Sequence, residues 1–410
     1  MNLSRPDDPY DFTEPVRLGI IGLGMAGATM VHAAALHPGV RLAAAADPQP
    51  DPRAAFTRDF GAAAFEDARQ VCERRDVEAV YIATPHQFHR EHAVLVAECG
   101  KHVIVEKPMA LSLEDCDAMI EAVNRNKVHL IVGHTHGFDP AVREMRRIIS
   151  SGAVGPLALV AMWNYTNFIY RPRRPEELDT SSGGGILFNQ IPHQIDTLRV
   201  LGGDISSVRA IARQLDPSRP TEGLASALLQ FESGAAATIT YSGYDYFDAD
   251  EFHFWIAESG APKPADRHGI ARRALLDRRE DESVLRVRNF ALGARPQEPP
   301  AHQPHFGAMI VTCADADLRA SRKGVLIYGR DGVREIVLPG RAGIPGRREV
   351  LDDLYGAVRH GRAPLQDARF GRATLATALA ILQSSRERRE VMIPPPSHSD
   401  QEVRRAHWES

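Results

Sequence analysis

The chain has 410 residues, 43% of them hydrophobic, and a formal net charge of -4. This length favours two domains over one, and the weak net charge supplies no field to gather nucleic acid. Cys72, Cys99, Cys116 and Cys313 form no CxxC pair, which argues against a disulfide frame or a cysteine zinc knuckle. Residues 1–14 are polar and show no signal-peptide core, and no apolar run is long enough to span a bilayer. The expectation is a cytoplasmic protein with no membrane partner.

Taken in chain order, 16–21 is a short apolar strand, followed by glycines and a helical stretch over 28–35. A second strand over 40–46 stops at Asp47-Pro48, and a third over 77–83 stops at Thr84-Pro85. Residues 91–99 read as a helix, 102–106 as a strand, 113–124 as a helix capped by Ser112, and 128–133 as a strand. Strands alternating with helices imply βαβ units, hence a Rossmann-type, doubly wound parallel sheet over 1–138. Beyond it, 157–165, 208–213, 225–231 and 235–241 read as longer strands joined by turn residues. A hairpin is expected around Asp331-Gly332, with helices over 349–360 and 374–387. The fold class is therefore α/β, with a C-terminal α+β domain over 139–393 built on a mainly antiparallel sheet. Residues 248–304 show no readable pattern, and 394–410 read as a loose tail.

Gly22-Leu23-Gly24-Met25-Ala26-Gly27 follows a strand and opens a helix, which is the context that gives a GxGxxG run its meaning. Gly22 permits the tight turn, Gly24 lets a pyrophosphate approach, and Gly27 lets helix and strand pack closely. Asp47 is placed to accept from an adenosine ribose hydroxyl and to repel a 2′-phosphate, favouring NAD over NADP; Arg53 leaves NADP open. Ligands of such sheets bind beyond the carboxyl ends of the strands. The candidate cofactor contacts are thus Gly22, Gly24, Met25, Ala26, Gly27 and Asp47. Towards the nicotinamide they are joined by Thr84, Pro85, His86, His89, Glu106 and Lys107. The spacing of His86, His89 and His92 matches no zinc pattern, so no metal is expected.

Lys107 ends an apolar strand and is fixed by Pro108, a placement suited to a proton carrier. Gly183-Gly184-Gly185 leads into a helical segment in which Asn189 and His193 share a face and Asp196 is placed to orient the imidazole. A loop over 164–180 carries Arg171, Arg173 and Arg174, stiffened by Pro172 and Pro175. Guanidinium forks bind carboxylates, so three suit a dicarboxylated small molecule, with Tyr165 and Tyr170 lining a flat ring. A solvated loop pairing with Glu176 and Glu177 is the plainer alternative.

Glu106-Lys107-Pro108, the run Thr84-Pro85-x-x-x-His89 and the triple glycine leading to His193-x-x-Asp196 stand in family order. In them the chain resembles the glucose-fructose oxidoreductase / inositol dehydrogenase / MocA-like oxidoreductases, over nearly its whole length. The resemblance implies an open-faced second sheet, a homodimer or homotetramer, a cis Pro108, and Lys107 with His193 as the catalytic pair. Asn189 stands where many members carry an Asp; an amide can bind substrate but take no proton, which moves the base role to Lys107 or His193. The 164–180 stretch, residues 188–194 and Tyr241-Ser242-Gly243-Tyr244 resemble the phthalate 4,5-cis-dihydrodiol dehydrogenase branch. The implied function is NAD-dependent oxidation of an aromatic-acid cis-dihydrodiol. The alternatives are a sugar or inositol dehydrogenase, and a dinucleotide-binding regulator without turnover.

Overall fold

The structure, a computed structural model, describes residues 10–133, 135–277, 282, 300–340 and 343–394. Six parallel strands form the first sheet: β1 Val16–Ile21, β2 Val40–Ala46, β3 Ala63–Phe65, β4 Ala79–Ile82, β5 His102–Val105 and β6 Leu130–Val132. Their order is β3-β2-β1-β4-β5-β6. Strands such as Ala79–Ile82 are buried at every residue, because helices cover both faces. The order reverses between β1 and β4, the kind of switch point outside which ligands of open α/β sheets bind. Ser112 caps the helix Leu113–Asn126 by accepting from the Asp115 N–H at 3.1 Å. The helix Pro50–Phe60 has no counterpart among the expected elements; its prolines occupy the first turn, where no N–H is needed.

The second sheet has nine strands: β7 Leu157–Tyr165, β8 Ile205–Arg213, β9 Leu224–Phe231, β10 Ala236–Ser242, β11 Ala308–Cys313, β12 Ala316–Ala320, β13 Gly324–Gly329, β14 Gly332–Val337 and β15 Val391–Met392. Their order is β14-β13-β12-β11-β7-β10-β9-β8-β15, antiparallel except for the β7–β10 pair. Strict alternation in β9 sends Ala225, Ala227, Leu229 and Phe231 inward and leaves Leu228 and Gln230 out. Helices Ile191–Gly202 and Ala368–Glu387 cover the inner face. The outer face is open and presents Trp163, Ile211, Leu228, Ile310 and Tyr328, each more than one-third exposed.

The boundary expected at residue 138 describes only the outward path of the chain. The helix Arg347–His360 returns to the first sheet, where Val350, Leu351, Leu354 and Tyr355 share a core with Phe12, Val16, Leu18 and Met30. The Val132 N–H then donates to the Gln366 carbonyl at 2.9 Å. Part of the segment 248–304 is ordered as a turn over Ala249–His253 and a helix over Ile270–Leu276. The expected tail over 394–410 lies outside the described residues except for residue 394. No described helix is long and apolar enough to cross a membrane.

Candidate active site

The glycine loop is built as a cradle. Gly22 has φ +93°, and a Cβ there would lie 2.7 Å from the Ala83 carbonyl oxygen. A Cβ on Gly27 would lie 1.9 Å from the Gly22 carbonyl oxygen, whereas one on Gly24 would meet nothing within 4 Å. The open space at Gly24, with Met25 exposed and Ala26 half-buried at the start of the helix Met25–Leu36, fits a pyrophosphate on free N–H groups. Asp47 braces the loop: its carboxylate accepts from Leu23 N–H at 2.7 Å and Gln49 N–H at 2.8 Å. Each oxygen keeps a lone pair for a ribose hydroxyl. Arg53 is tied back onto the Asp47 and Pro48 carbonyls at 2.7 and 2.8 Å.

The turn after β4 is held from behind. His89 is wholly buried, with Nδ1 2.9 Å from the Pro108 carbonyl oxygen and Nε2 3.0 Å from that of Thr84. It has no surface with which to touch a cofactor, so its part is to join the Thr84-Pro85 turn to the lysine turn; this corrects the direct contact expected of it. Thr84 Oγ1 lies 3.1 Å from His92 Nδ1. His86 Nδ1 lies 3.2 Å from the Gly183 carbonyl, linking this turn to the triple glycine. Burial, then His89 and Lys107, pull its pKa down to about 3, so it is neutral and donates.

Lys107 follows β5 and precedes a cis peptide to Pro108. Its Nζ donates to the Asn189 carbonyl at 2.6 Å. Burial pulls the amine down to about 8; Glu106 and Glu258 oppose that fall while Arg347 and Arg173 assist it. Glu106 is buried and bonded to Tyr81 and Arg347, so it acts as a support for the lysine rather than as the cofactor contact expected of it.

Asn189 and His193 do not share one continuous helix. The helix Gly185–Asn189 ends at Gln190, and a second, Ile191–Gly202, begins with Pro192 in its first turn. The Asn189 amide is spent on the Gly183 and Gly185 carbonyls at 3.1 and 2.8 Å, so what it offers Lys107 is its backbone oxygen. His193 packs against His136 and Phe306, with ring centroids 4.9 and 5.0 Å away. Asp196, the expected orienter, instead accepts from Gly137 N–H at 2.7 Å and the Gln366 amide at 2.9 Å. Burial pushes its carboxyl up to about 7. The oriented histidine of a His-x-x-Asp pattern is found at His136, whose Nδ1 lies 2.8 Å from Asp139 Oδ2. Burial disfavours the His136 imidazolium, but Asp139, with Glu258 and Asp196, outweighs it and raises the pKa.

The arginine loop divides. Arg173 is buried, lies 3.8 Å over the Phe168 ring and donates to the Phe168 carbonyl at 2.8 Å. Its charge bears on Lys107, and with that of Arg171 on Tyr241, whose hydroxyl donates to Gln190 at 3.0 Å. Arg171 is held by Asn167 at 2.8 Å. Arg174 turns outward to Glu176 and Glu177 at 3.1 and 3.7 Å, so for it the plain surface reading holds. Tyr170 is also removed from the expected ring-lining set: it is buried and its hydroxyl donates to Asp216 at 2.7 Å. Tyr165 packs edge-on against Phe247. Tyr81, Arg347, His136 and Glu258 have no counterpart in the sequence reading. Only His136 left a signal there, since its His-x-x-Asp spacing repeats that of His193.

Comparison with known proteins gives the same placement. Residues 16–134 match the oxidoreductase family model with an NAD-binding Rossmann fold, and residues 142–258 match the GFO/IDH/MocA C-terminal domain. The chain is 37% identical over 382 residues to 1-carboxy-3-chloro-3,4-dihydroxycyclohexa-1,5-diene dehydrogenase of Comamonas testosteroni, covering 90% of this chain and 95% of that one. It is 33% identical over 236 residues to scyllo-inositol 2-dehydrogenase (NAD(+)) of Bacillus subtilis strain 168, covering 55% of this chain and 67% of that one. A Bordetella bronchiseptica RB50 crystal structure, described as that of a dehydrogenase, superimposes with a TM-score of 0.88 at 46% identity, covering 92% of this chain and 100% of that one. With both domain models matched and the glycine cradle shaped for the dinucleotide, the chain belongs to the Gfo/Idh/MocA family of NAD-binding oxidoreductases.

Proposed function

We propose that this oxidoreductase oxidises a carboxylated cyclic cis-dihydrodiol, with phthalate cis-4,5-dihydrodiol as the substrate of first choice. The observation that carries the reading is the Lys107 amine just beyond the end of β5, held on the Asn189 carbonyl at 2.6 Å, with a buried arginine, Arg173, among its charged neighbours and Arg171 on the same loop. The Comamonas relative, named for a carboxylated dihydroxycyclohexadiene, supports it. Bound NAD supplies the hydride acceptor. Lys107 accepts the hydroxyl proton as the carbinol C–H bond breaks, and Arg171 and Arg173 hold the substrate carboxylates. The ketone formed tautomerises to a catechol, and aromatisation draws the reaction on. A neutral polyol, the substrate of the inositol relative's type, gives the arginines no partner.

The direct test follows NADH absorbance with the phthalate diol, the corresponding benzoate diol, inositol and glucose. Turnover of a diol acid alone supports the proposal, and turnover of a polyol alone returns the protein to the sugar branch. Arg171→Ala is expected to raise KM roughly ten- to hundredfold, the worth of one charged hydrogen bond, with little change in kcat. Arg174→Ala should leave both unchanged, and a loss there equal to that of Arg171→Ala would reject the division of the loop. Arg173 is a poorer probe because its charge also bears on Lys107.

We also propose that a second copy of the chain covers the open sheet face, giving a dimer or tetramer in the cytoplasm. Five strands of this face each present an exposed apolar side chain, an open surface of the kind that marks a protein–protein contact. Leu228→Glu with Ile211→Glu is expected to halve the mass found by light scattering, and an unchanged mass would place the interface elsewhere.

A further inference from the structure

Glu106 belongs to a buried group that spans both halves of the molecule. Tyr81 in β4 and Arg347, the first residue of the helix Arg347–His360, both donate to its Oε1, and Arg347 also donates to the Tyr81 hydroxyl at 2.7 Å. The other oxygen, Oε2, accepts the Lys107 backbone N–H at 3.1 Å. The Lys107 amine binds elsewhere, at the Asn189 carbonyl. We propose that Arg347 is a positioning residue of the active site, holding Glu106 against Tyr81 so that this carboxylate does not capture the Lys107 amine as a salt-bridge partner. The proposal rests on the reading of Lys107 as the base.

The charged groups around the amine set the balance. Glu106 and Glu258 favour its ammonium form, while Arg347 and Arg173 oppose it, and the neutral His86 faces it from the turn after β4. Without Arg347, Glu106 is a buried anion held by one phenol and one amide N–H, and the adjoining amine is a cation able to pair with it. That pairing would stabilise the ammonium form and withdraw the amine from Asn189.

Arg347→Met is therefore expected to raise the Lys107 pKa by about one or more, leaving roughly tenfold less neutral amine at pH 7. Arg347→Lys, which keeps a cation there, should restore part of the loss. Two readouts separate the possibilities: the pH dependence of Lys107 acetylation in the free protein, read by mass spectrometry against the exposed Lys127, and the pH profile of kcat/KM. A rise in both supports the proposal. A Lys107 acetylation curve unchanged in a folded, NADH-binding Arg347→Met overturns it. An acetylation curve that moves while kcat/KM does not supports the role of Arg347 and rejects Lys107 as the base. If Arg347→Met does not fold, Glu106→Gln tests the same balance from the other side: the Lys107 curve should move to lower pH, and no movement overturns the proposal.

Discussion

Replacing Lys107 by Met should lower kcat roughly 10²- to 10⁴-fold, the usual contribution of a positioned base, while NADH affinity changes little. In the proposed function the amine is the proton acceptor, and its loss leaves the glycine cradle and Asp47 untouched. The pH profile carries a second expectation. A base works in its neutral form, so diol oxidation should rise with pH and level off above about 8, the value to which burial brings Lys107. A bound nicotinamide cation would move that point lower, since a like charge disfavours the ammonium. Stopped-flow absorbance and NADH fluorescence titration make both checks. A Lys107→Met enzyme with near wild-type kcat would transfer the base role to His193, whose neighbour His136 is then the next residue to change.

The second large effect is expected at Gly27. A methyl group there would lie 1.9 Å from the Gly22 carbonyl oxygen, a contact that only movement of the loop can relieve. The Gly22 side of the turn has little room to give, because its own Cβ position faces the Ala83 carbonyl at 2.7 Å. Gly27→Ala should therefore destabilise the protein by about 1–3 kcal/mol, as overpacking does, and weaken NADH binding at least roughly tenfold as the loop N–H groups lose their aim. Calorimetry of the melt with and without NADH measures both. An unchanged Tm and affinity would show that the turn is slack.

The parts of the molecule that could be read beforehand are those whose cause is local. All strands of the first sheet but β3 are apolar runs punctuated by glycine and proline, and Asp47, Thr84 and Lys107 stand within two residues of the ends of three of them. Alternation marks β8, β9 and β10 in the same way. The helix Pro50–Phe60 escaped because proline at a first turn and proline as a breaker look alike in sequence. At the site, spacing predicted that Asp196 would orient His193, but helix spacing does not say which acid folds towards which imidazole, and the described bonds of Asp196 go to Gly137 and Gln366. Arg174 and Tyr170 failed for a similar reason: each had an acid, Glu176 or Asp216, close enough to claim it. Arg347 meets Glu106 across 241 positions of chain, and no local pattern encodes such a contact.

The return of the helix Arg347–His360 to the first sheet has a consequence for how the protein is made. On the ribosome the glycine cradle and all six strands of that sheet emerge early, yet the core shared by Phe12, Val16 and Leu18 is complete only when Val350, Leu351 and Tyr355 are synthesised. The nascent half-protein thus carries an incompletely covered apolar seam until that helix is made, which is the kind of surface chaperones bind. Its closure comes late in synthesis, and Lys107 receives the charge of Arg347 only then.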